Sequence, residues 1–255
     1  MLIEAQGDRL DVVLVSPRNP LNIGAAARAM ANFGFTRLCV VAPFAEHWRE
    51  ARSAVGAPDV LQRAQEYATL SEALADCTLA IGTGTQTHRK PDQPIVPLPA
   101  VVPRIAEAAA GAGRIALVFG SEKHGLTRND LALCHLLVEI PTDPRQPSMN
   151  LGQAVAVCLY ELARAEPVVA TAAVPAVNRA ATSGALDRLA GVTEEVMAAS
   201  GYSPRDLQAA NRHDLQVMLR RLHWTEADAT RTLGLFRRVL WRLRHPGSST
   251  AETRR

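Results

Sequence analysis

The residues of this chain that could take part in chemistry gather in two similar stretches. PRNPLNIGAAARA begins at Pro17, and PRQPSMNLGQAVA begins at Pro144. Each passes from a proline-rich loop through an Asn and a Gly into an alanine-rich segment. Asn is a favoured helix N-cap because its side-chain oxygen accepts a hydrogen bond from a free backbone N–H group. We therefore expect Asn22 and Asn150 to cap two helices, each of which follows a strand.

The two stretches differ in the residues that could carry function. Gly24 has no Cβ and would let a ligand or another backbone approach the first turn of its helix. Arg28 lies one turn further along the same face, among small residues; an arginine that is simply exposed to solvent is the alternative. The second stretch has one residue more than the first, and this residue is Ser148. Neither stretch contains a Ser-His-Asp triad or a pair of carboxylates, so hydrolysis is not indicated.

Two further segments follow apolar runs: IGTGTQTHRK, residues 81–90, and VFGSEKHGLTRNDL, residues 118–131. The first has neither the G-x-G-x-x-G of a dinucleotide fold nor the G-K-[ST] of a P-loop, which argues against a nicotinamide oxidoreductase. In the second, Gly120 would end a buried strand and Glu122 would follow at its rim. Thr127 to Asp130 could cap a short helix. A lone glutamate is more often solvated surface than a functional group.

Five apolar segments rich in β-branched residues alternate with helix-compatible segments. This alternation predicts an α/β fold with a mostly parallel sheet and helices on both faces. Ligands in such sheets bind beyond the C-terminal ends of the strands, where the residues named above lie. The predicted strands span residues 10–16, 37–42, 78–83, 115–120 and 136–140.

The C-terminal third predicts helices. A helix over about residues 150–165 would bury Val155, Leu159 and Leu162 on one face. After a proline-punctuated segment, amphipathic spacing predicts a small α-helical extension. Its predicted apolar stripes are Leu215, Met218, Leu219 and Leu222, and Leu235, Val239 and Leu243. The predicted domain organisation is an α/β domain at 1–165, a linker at 166–183, the helical extension at 184–245 and a disordered tail at 246–255.

Composition describes a globular protein and excludes several classes. Of the 255 residues, 47% are hydrophobic and 21% charged, and no apolar run of about 18 residues could span a membrane. The first ten residues lack the features of a secretory signal, so we expect a cytoplasmic protein. The four cysteines are scattered singly through apolar segments and predict reduced core residues. The seven histidines show no metal-binding spacing, and we expect no metal.

Positive charge is concentrated at the C-terminus. Residues 201–255 contain eleven Arg and five Asp or Glu, a balance of 11 − 5 = +6, whereas the whole chain carries only +3. Such asymmetry favours a polyanionic partner such as nucleic acid. Arginines that merely solvate helix faces are the alternative.

Three segments, in this order, resemble the signature motifs of the SpoU/TrmH-type branch of the SPOUT RNA methyltransferases. They are NIGAAARAMANFGF, LVFGSEKHGL and IPTDPRQPSMNLGQAVAV. The resemblance covers residues 10–165. The helical extension, with MLRRLHW and LGLFRRVLWRL, looks most like that of the TrmJ-type tRNA 2'-O-methyltransferases.

The resemblance implies a fold, a cofactor and an assembly. The fold would be the SPOUT fold, whose C-terminal part threads a trefoil knot, an exception to the rule that chains avoid knots. The enzyme would be a homodimer that transfers a methyl group from S-adenosyl-L-methionine, releases S-adenosyl-L-homocysteine and needs no metal. By motif position, the cofactor would contact Thr83, Gly84, Thr85, Gly120, Ile140, Pro147, Ser148 and Met149.

The family assigns the catalytic step to the residue that matches Arg28. Because a guanidinium stays protonated up to about pH 12, we expect Arg28 to bind a substrate phosphate and stabilise developing charge. Ser148 would orient the ribose. Arg28 of one subunit would face Ser148 and Asn150 of the other, while Asn22, Gly24 and Glu122 would support the loops and the substrate.

The implied function is methylation of a ribose 2'-hydroxyl of RNA, most specifically at position 32 of the tRNA anticodon loop. Ribosomal RNA or another tRNA position is the alternative substrate. A non-catalytic RNA-binding protein that keeps the fold is an alternative of another class. The base preference, and whether the C-terminal helices contact RNA or support the dimer, stay open.

Overall fold

The computed structural model describes residues 7–50, 57–84, 91–111, 113–165 and 179–246. Over these ranges seven strands form one sheet, in which every neighbouring pair is parallel. The spatial order is β3-β2-β1-β6-β4-β7-β5. The strands are β1 (Leu10–Val15), β2 (Arg37–Val41), β3 (Gln65–Tyr67), β4 (Cys77–Thr83), β5 (Ile95–Pro97), β6 (Arg114–Phe119) and β7 (Leu136–Glu139).

The five strands predicted from the sequence are confirmed, and they occupy the middle of the sheet. β3 and β5, which were not predicted, are its two edges. Each has only three residues, and all of these are exposed or half-buried. Edge strands bury little side-chain surface: QEY carries no apolar pattern, and the apolar run IVP is too short to indicate a strand by itself.

Helices cover both faces of the sheet, as predicted. On β1, Val12 and Leu14 pack into one core cluster and Val13 and Val15 into the other, because successive side chains of a strand point to opposite faces. The helices of this part are α1 (Pro20–Asn32), α2 (Pro58–Gln62), α3 (Leu70–Leu74), α4 (Leu98–Ala110), α5 (Arg128–Ala132) and α6 (Leu151–Arg164). α1, α4 and α6 supply the larger cluster, and α3 and α5 the smaller one.

A buried carboxylate ties three central strands together at the N-terminal edge of the sheet. Asp11 on β1 is only 3% exposed. It accepts hydrogen bonds from Nε of Arg37 on β2, at 2.7 Å, and from Nε of Arg114 on β6, at 3.0 Å. A buried charge of this kind is tolerated only when it is paired and hydrogen-bonded. The functional residues lie at the opposite, C-terminal edge.

The C-terminal extension consists of α7 (Ser183–Ala199), α8 (Gln208–Arg221) and α9 (Glu226–Arg244). Leu215 and Leu219 are buried as predicted, but Met218 and Leu222 are exposed. In the predicted α9 stripe, which we expected to pack on the other helices or on a partner subunit, Leu235 and Leu243 are exposed in the single chain. The α9 residues that pack inwards are Leu233, Phe236 and Leu240.

The domain boundaries are only partly covered by the described residues. Thirteen residues of the predicted linker, 166–178, and nine of the predicted tail, 247–255, lie outside them. Ser183, predicted as the last linker residue, already belongs to α7 and is fully buried. The four cysteines are free and buried, which confirms them as core residues. Among the helices of the described ranges, none has the length and apolar character needed to cross a membrane.

Candidate active site

The strand order brings the three sequence motifs to one edge of the sheet. β1, β6, β4 and β7 are consecutive neighbours, and their C-terminal ends are followed, in this order, by residues 16–19, 120–127, 84 and 140–150. Segments that are more than 100 residues apart in the chain therefore meet there. This is the edge at which parallel α/β sheets bind ligands.

The first helix begins earlier than the sequence reading predicted. Asn19, not Asn22, is the N-cap of α1, and its side-chain oxygen accepts from the N–H of Leu21 at 2.9 Å. Pro20 occupies the first helical position, where its missing N–H costs nothing. The prediction that Asn22 caps this helix is wrong. Asn22 lies within the first turn, and its side chain is free to contact other motifs.

Asn22 joins the three motifs through a chain of hydrogen bonds. Its Nδ2 donates to Oε1 of Glu122 at 2.8 Å, and its Oδ1 accepts from Nδ2 of Asn150 at 2.9 Å. A carboxylate can only accept, so Asn22 must turn its NH₂ group towards Glu122 and its oxygen towards Asn150. We call this arrangement the Glu122–Asn22–Asn150 relay. It fixes the amide orientations of both asparagines.

Glu122 is the anchor of the relay rather than a solvated surface residue. It accepts from the backbone N–H groups of Arg18, at 2.8 Å, and Asn19, at 3.0 Å, in addition to Asn22. Burial alone would raise the pKa of Glu122. The hydrogen bonds to its charged form outweigh burial and place this pKa below its ordinary value. Glu122 therefore carries a negative charge at neutral pH and holds the loop before α1.

Asn150 ends the relay and caps α6, as predicted. Its Oδ1 accepts from the N–H groups of Gly152, at 2.9 Å, and Gln153, at 3.4 Å. A Cβ on Gly152 would lie 2.7 Å from the Cβ of Ala25, so this glycine allows α6 to pack closely against α1. The buried stripe of α6, Val155, Leu159 and Leu162, is confirmed.

Gly120 is required by the loop that carries Glu122. A Cβ at Gly120 would lie 2.0 Å from the carbonyl carbon of Gly125. The loop folds back at this point, because Ser121 and Gly125 form an isolated bridge and the N–H of Gly125 donates to the carbonyl of Ser121 at 2.8 Å. Thr127 and Asp130 then form the predicted capping box at the start of α5.

The other predicted cofactor residues lie along the same edge. Thr83 ends β4, is buried, and donates to the carbonyl of Val118 at 3.0 Å. Gly84 is exposed, and a Cβ there would meet no atom within 4 Å. Ile140 and Pro147 are half-buried, whereas Ser148 and Met149 are exposed. Thr85 lies outside the described residues.

The two predicted catalytic residues are both accessible but are not in contact in the single chain. Arg28 is exposed on α1, and its side chain makes no hydrogen bond or ion pair with any described residue. Gly24, one turn before it, is buried. Ser148 lies two residues before the relay residue Asn150. The structure therefore joins Asn22, Glu122 and Asn150, and leaves Arg28 and Ser148 open to solvent.

Sequence reasoning missed a second group at this edge. The guanidinium carbon of Arg18 lies 4.5 Å from the ring centre of Phe44, a ring that is 70% exposed. The N–H of Phe44 donates to the carbonyl of Pro17 at 3.0 Å and fixes the two loops together. Ser16 and Ala42, which directly follow β1 and β2, have φ of 47° and 43°, a strained conformation for such residues. The first P-R pair was the only sequence signal for this group.

No metal-binding group accompanies these residues in the described part of the chain. Over those ranges, His, Cys, Asp and Glu side chains form no cluster of three or more that could hold a metal ion. The site offers backbone groups, amides, the Glu122 carboxylate, the Ser148 hydroxyl and the guanidinium groups of Arg18 and Arg28. Such a set is suited to binding a polar ligand and a phosphate.

Proteins with similar sequences carry names that agree with the resemblance to RNA methyltransferases. A protein of Cronobacter sakazakii named tRNA (cytidine/uridine-2'-O-)-methyltransferase TrmJ is 34% identical over 236 residues, which cover 90% of this chain and 93% of that protein. The Pseudomonas aeruginosa protein named tRNA (cytidine/uridine/adenosine-2'-O-)-methyltransferase TrmJ is 41% identical over 161 residues. That match covers 61% of this chain and only 60% of the relative.

Structural and family comparisons agree with these matches. The crystal structure of TrmJ from Zymomonas mobilis ZM4 superposes with a TM-score of 0.77 at 29% identity, and covers 90% of this chain and 98% of that one. The sequence profile of the SpoU rRNA methylase family matches residues 9–160. This range contains all three motifs and the relay between them. The chain therefore belongs to the SpoU rRNA methylase family of methyltransferases.

Proposed function

We propose that this protein transfers the methyl group of S-adenosyl-L-methionine to a ribose 2'-hydroxyl of tRNA, at position 32 of the anticodon loop. The observation that carries the proposal is the Glu122–Asn22–Asn150 relay, which assembles the three family motifs at the ligand-binding edge of the sheet. The names of the relatives point to tRNA and to the 2'-oxygen. A tRNA-modifying role is in keeping with the expected cytoplasmic location.

The loop ends fit a nucleoside cofactor. Gly84 leaves open space beside its backbone, whereas the returning loop fills the Cβ side of Gly120, so Gly120 could contact the cofactor only through its backbone groups. Ile140, Pro147 and Met149 add apolar surface that is only partly covered, as a flat adenine would require. These residues would hold the cofactor together with Thr83. When bound, S-adenosyl-L-methionine supplies an electrophilic methyl group on its sulfonium.

Arg28 and Ser148 would act on the RNA. A ribose hydroxyl is a weak nucleophile until its proton leaves, and negative charge develops on its oxygen as the O–H bond breaks and the proton passes to the substrate phosphate or to water. Arg28, which remains protonated, would bind the adjacent phosphate through two parallel hydrogen bonds and stabilise this charge. The Ser148 hydroxyl would orient the ribose. Holding the reactants in line lowers the barrier by several kcal/mol.

A second copy of the chain would complete the site. Leu21 on α1 and Tyr160 on α6 are 54% and 55% exposed, and these two helices pack side by side next to the relay. Apolar groups at such a place favour coverage by another subunit. A homodimer would bring Arg28 of one subunit towards Ser148 of the other. The trefoil knot remains a prediction of the family resemblance.

Replacing Arg28 with alanine tests the proposal. Because Arg28 is exposed and lacks a partner among the described residues, we expect Arg28→Ala to fold normally and to bind the cofactor. Methyl transfer should fall by about a hundredfold or more, as it does when one group that stabilises transition-state charge is removed. Arg63→Ala, at another exposed arginine, is the matched control and should keep full activity. Unchanged turnover in Arg28→Ala would contradict the assigned role.

The RNA substrate is tested separately. Tritiated methyl transfer is measured on purified tRNA and on ribosomal RNA, and the modified nucleotide in tRNA is then mapped. We expect label in tRNA at position 32. Label in ribosomal RNA alone would overturn the tRNA assignment, and absence of label in any RNA would overturn the proposed activity.

A further inference from the structure

Phe44 holds a large apolar ring in solvent at the ligand-binding edge of the sheet. The ring is 70% exposed, although it follows the buried strand β2 closely in the chain. The guanidinium carbon of Arg18 lies over it, 4.5 Å from its centre. Most of the ring surface stays open beside this cation. Neither side chain has a part in the methyl transfer proposed above, so the pair calls for a separate explanation.

A second cation–π pair, a few residues further along the chain, shows what a structural pair looks like. Arg49 lies 4.3 Å from the ring centre of Trp48. That ring is fully buried, and Arg49 forms an ion pair with Glu66 at 3.0 Å. By contrast, the guanidinium of Arg18 is exposed and forms no hydrogen bond or ion pair with any described residue. The Arg18–Phe44 pair therefore keeps both its ring and its N–H donors available for a ligand.

The backbone that carries the pair is held in place. The N–H of Phe44 donates to the carbonyl of Pro17 at 3.0 Å, and the N–H of Arg18 donates to the Glu122 carboxylate at 2.8 Å. The pair is thus joined both to the next strand-end loop and to the anchor of the relay. A side chain on ordered backbone loses less conformational freedom when a ligand binds to it, which favours affinity.

The pair lies at the start of the helix that carries Arg28. Arg18 directly precedes Asn19, the N-cap of α1. At 1.5 Å of helix per residue, Arg28 lies about 13 Å further along the axis. Stacked nucleotides are about 3.4 Å apart along one strand, so this distance corresponds to about four of them. The pair is therefore placed to contact a different nucleotide from the one held by Arg28, within the same RNA segment.

An unpaired base suits the chemistry of the pair. Single-stranded RNA is recognised by stacking of its bases on aromatic rings and on guanidinium planes. An arginine that stacks keeps its in-plane N–H groups for a phosphate. The charges nearby are balanced, because the exposed Glu46 and Glu50 offset Arg18 and Arg49. The flat ring of Phe44, rather than a positive field, is thus the main recognition element.

We propose that Arg18 and Phe44 form a platform on which one unpaired base of the substrate RNA stacks. The base lies against the open surface of the Phe44 ring, and the guanidinium of Arg18 binds the adjacent phosphate. This inference rests on the proposed function, because it names residues that hold the same RNA substrate. It adds that a nucleotide outside the reaction centre contributes to the affinity for that RNA.

Equilibrium binding of labelled tRNA to the full-length protein tests the platform without any methyl transfer. Phe44→Leu keeps an apolar side chain but removes the ring, and it should weaken tRNA binding about tenfold. Phe44→Trp keeps a ring and should bind at least as tightly as the unmodified protein. Arg49→Ala removes a positive charge from the same segment and is the control, with unchanged affinity. Double-stranded RNA, which offers no unpaired base, should bind equally to all of these proteins.

Three results would overturn the platform: no tRNA binding by the unmodified protein, unchanged binding in Phe44→Leu, or an equal loss in Phe44→Leu and Phe44→Trp. A lower subunit number for Phe44→Leu in sedimentation would also overturn it, since the ring would then belong to a subunit interface. The proposed function fails separately. If the unmodified protein methylates tRNA and Phe44→Leu binds tRNA normally, the platform alone is wrong. If Phe44→Leu weakens tRNA binding but no RNA is methylated, the methyl transfer alone is wrong.

Discussion

At the scale of single residues, the direction of each hydrogen bond in the relay follows from one charge. Glu122 can only accept, so it orients Asn22, which in turn orients Asn150 towards the first turn of α6. A substitution that removes the Glu122 carboxylate would therefore also disturb the loop that carries Ser148. Glu122 makes no hydrogen bond to Arg28 or Ser148. Its role is therefore to position the loops around them.

Glu122→Gln should weaken both stability and activity. The glutamine can accept with only one of its two terminal atoms, whereas Glu122 uses both oxygens for three N–H donors. We expect the free energy of unfolding at pH 7 to fall by about 1 kcal/mol, measured by urea denaturation. Glu46→Gln, at an exposed glutamate, is the control and should change little.

The role of Glu122 can also be tested by the pH dependence of stability, measured on the unmodified protein and on Glu122→Gln. The pKa of Glu122 is lowered in the folded state, so its contribution is fully present above the ordinary glutamate pKa of about 4.3 and is lost as the pH falls through the lowered value. The stability difference between the unmodified protein and Glu122→Gln should be constant from pH 7 to pH 5 and shrink below about pH 4. A difference that grows on acidification would contradict this role.

Sequence reasoning found most of these residues but not their partnerships. Asn150 was predicted correctly as a cap, because no Asn followed by Pro precedes its helix. Asn22 was predicted wrongly, because Asn19 followed by Pro20 is a stronger helix start. Glu122 looked like a solvated surface residue, since its partners lie about 100 residues away in the chain. Local spacing carries no information about such contacts.

At the scale of elements, two glycines at neighbouring strand ends differ in what they tolerate. Gly120→Ala would place a Cβ 2.0 Å from backbone of the returning loop, whereas Gly84→Ala would meet nothing within 4 Å. We expect Gly120→Ala to lose about 3 kcal/mol or more of unfolding free energy, measured by denaturant titration. Gly84→Ala is the matched control and should stay within about 0.5 kcal/mol. Equal stability of the two variants would refute the close packing at Gly120.

Burial also explains which strands and helix faces could be predicted from the sequence and which could not. The central strands are apolar on both faces and were recognised by that pattern, as was α6 by its buried stripe. On α9 the predicted stripe of Leu235 and Leu243 stays exposed, because the neighbouring face with Phe236 and Leu240 meets the other helices. Periodicity indicates that a helix is amphipathic; it does not separate adjacent apolar faces on a helix that has two.

At the scale of the whole molecule, the extension is attached to the sheet by polar contacts. Asp187 on α7 accepts from Ser71 on α3 and from Arg220 on α8, and Arg220 also reaches the carbonyl of Leu133. The Arg220 side chain is 1% exposed and that of Asp187 is 22% exposed. An ion pair buried to this degree is costly to break from one side, because the remaining charge stays uncompensated.

Arg220→Ala should therefore destabilise the protein by about 3 kcal/mol, measured as the change in unfolding free energy. The control is Arg244→Ala, which breaks the ion pair with Glu195, whose two side chains are 57% and 50% exposed. Exposed pairs contribute about 1 kcal/mol at most. In a double-mutant cycle with Asp187→Ala, the Arg220 effect should shrink. Additive losses would show that the two residues do not act as a pair.

The order of the strands has a consequence for synthesis on the ribosome. β6 lies between β1 and β4 and pairs with both, so Leu10 meets Ile115. A nascent chain that has not yet delivered residues 114–119 can pair β1, β2 and β3, but β4 and β5 have no partner, because β4 pairs with β6 and β7 and β5 pairs with β7. The edge of β1 and both edges of β4 stay open. Such edges recruit other chains, and non-local pairing of this kind is slow. Translation that stalls before β6 would thus leave an aggregation-prone fragment, and the gaps in the sheet close only when β6 and then β7 have been added.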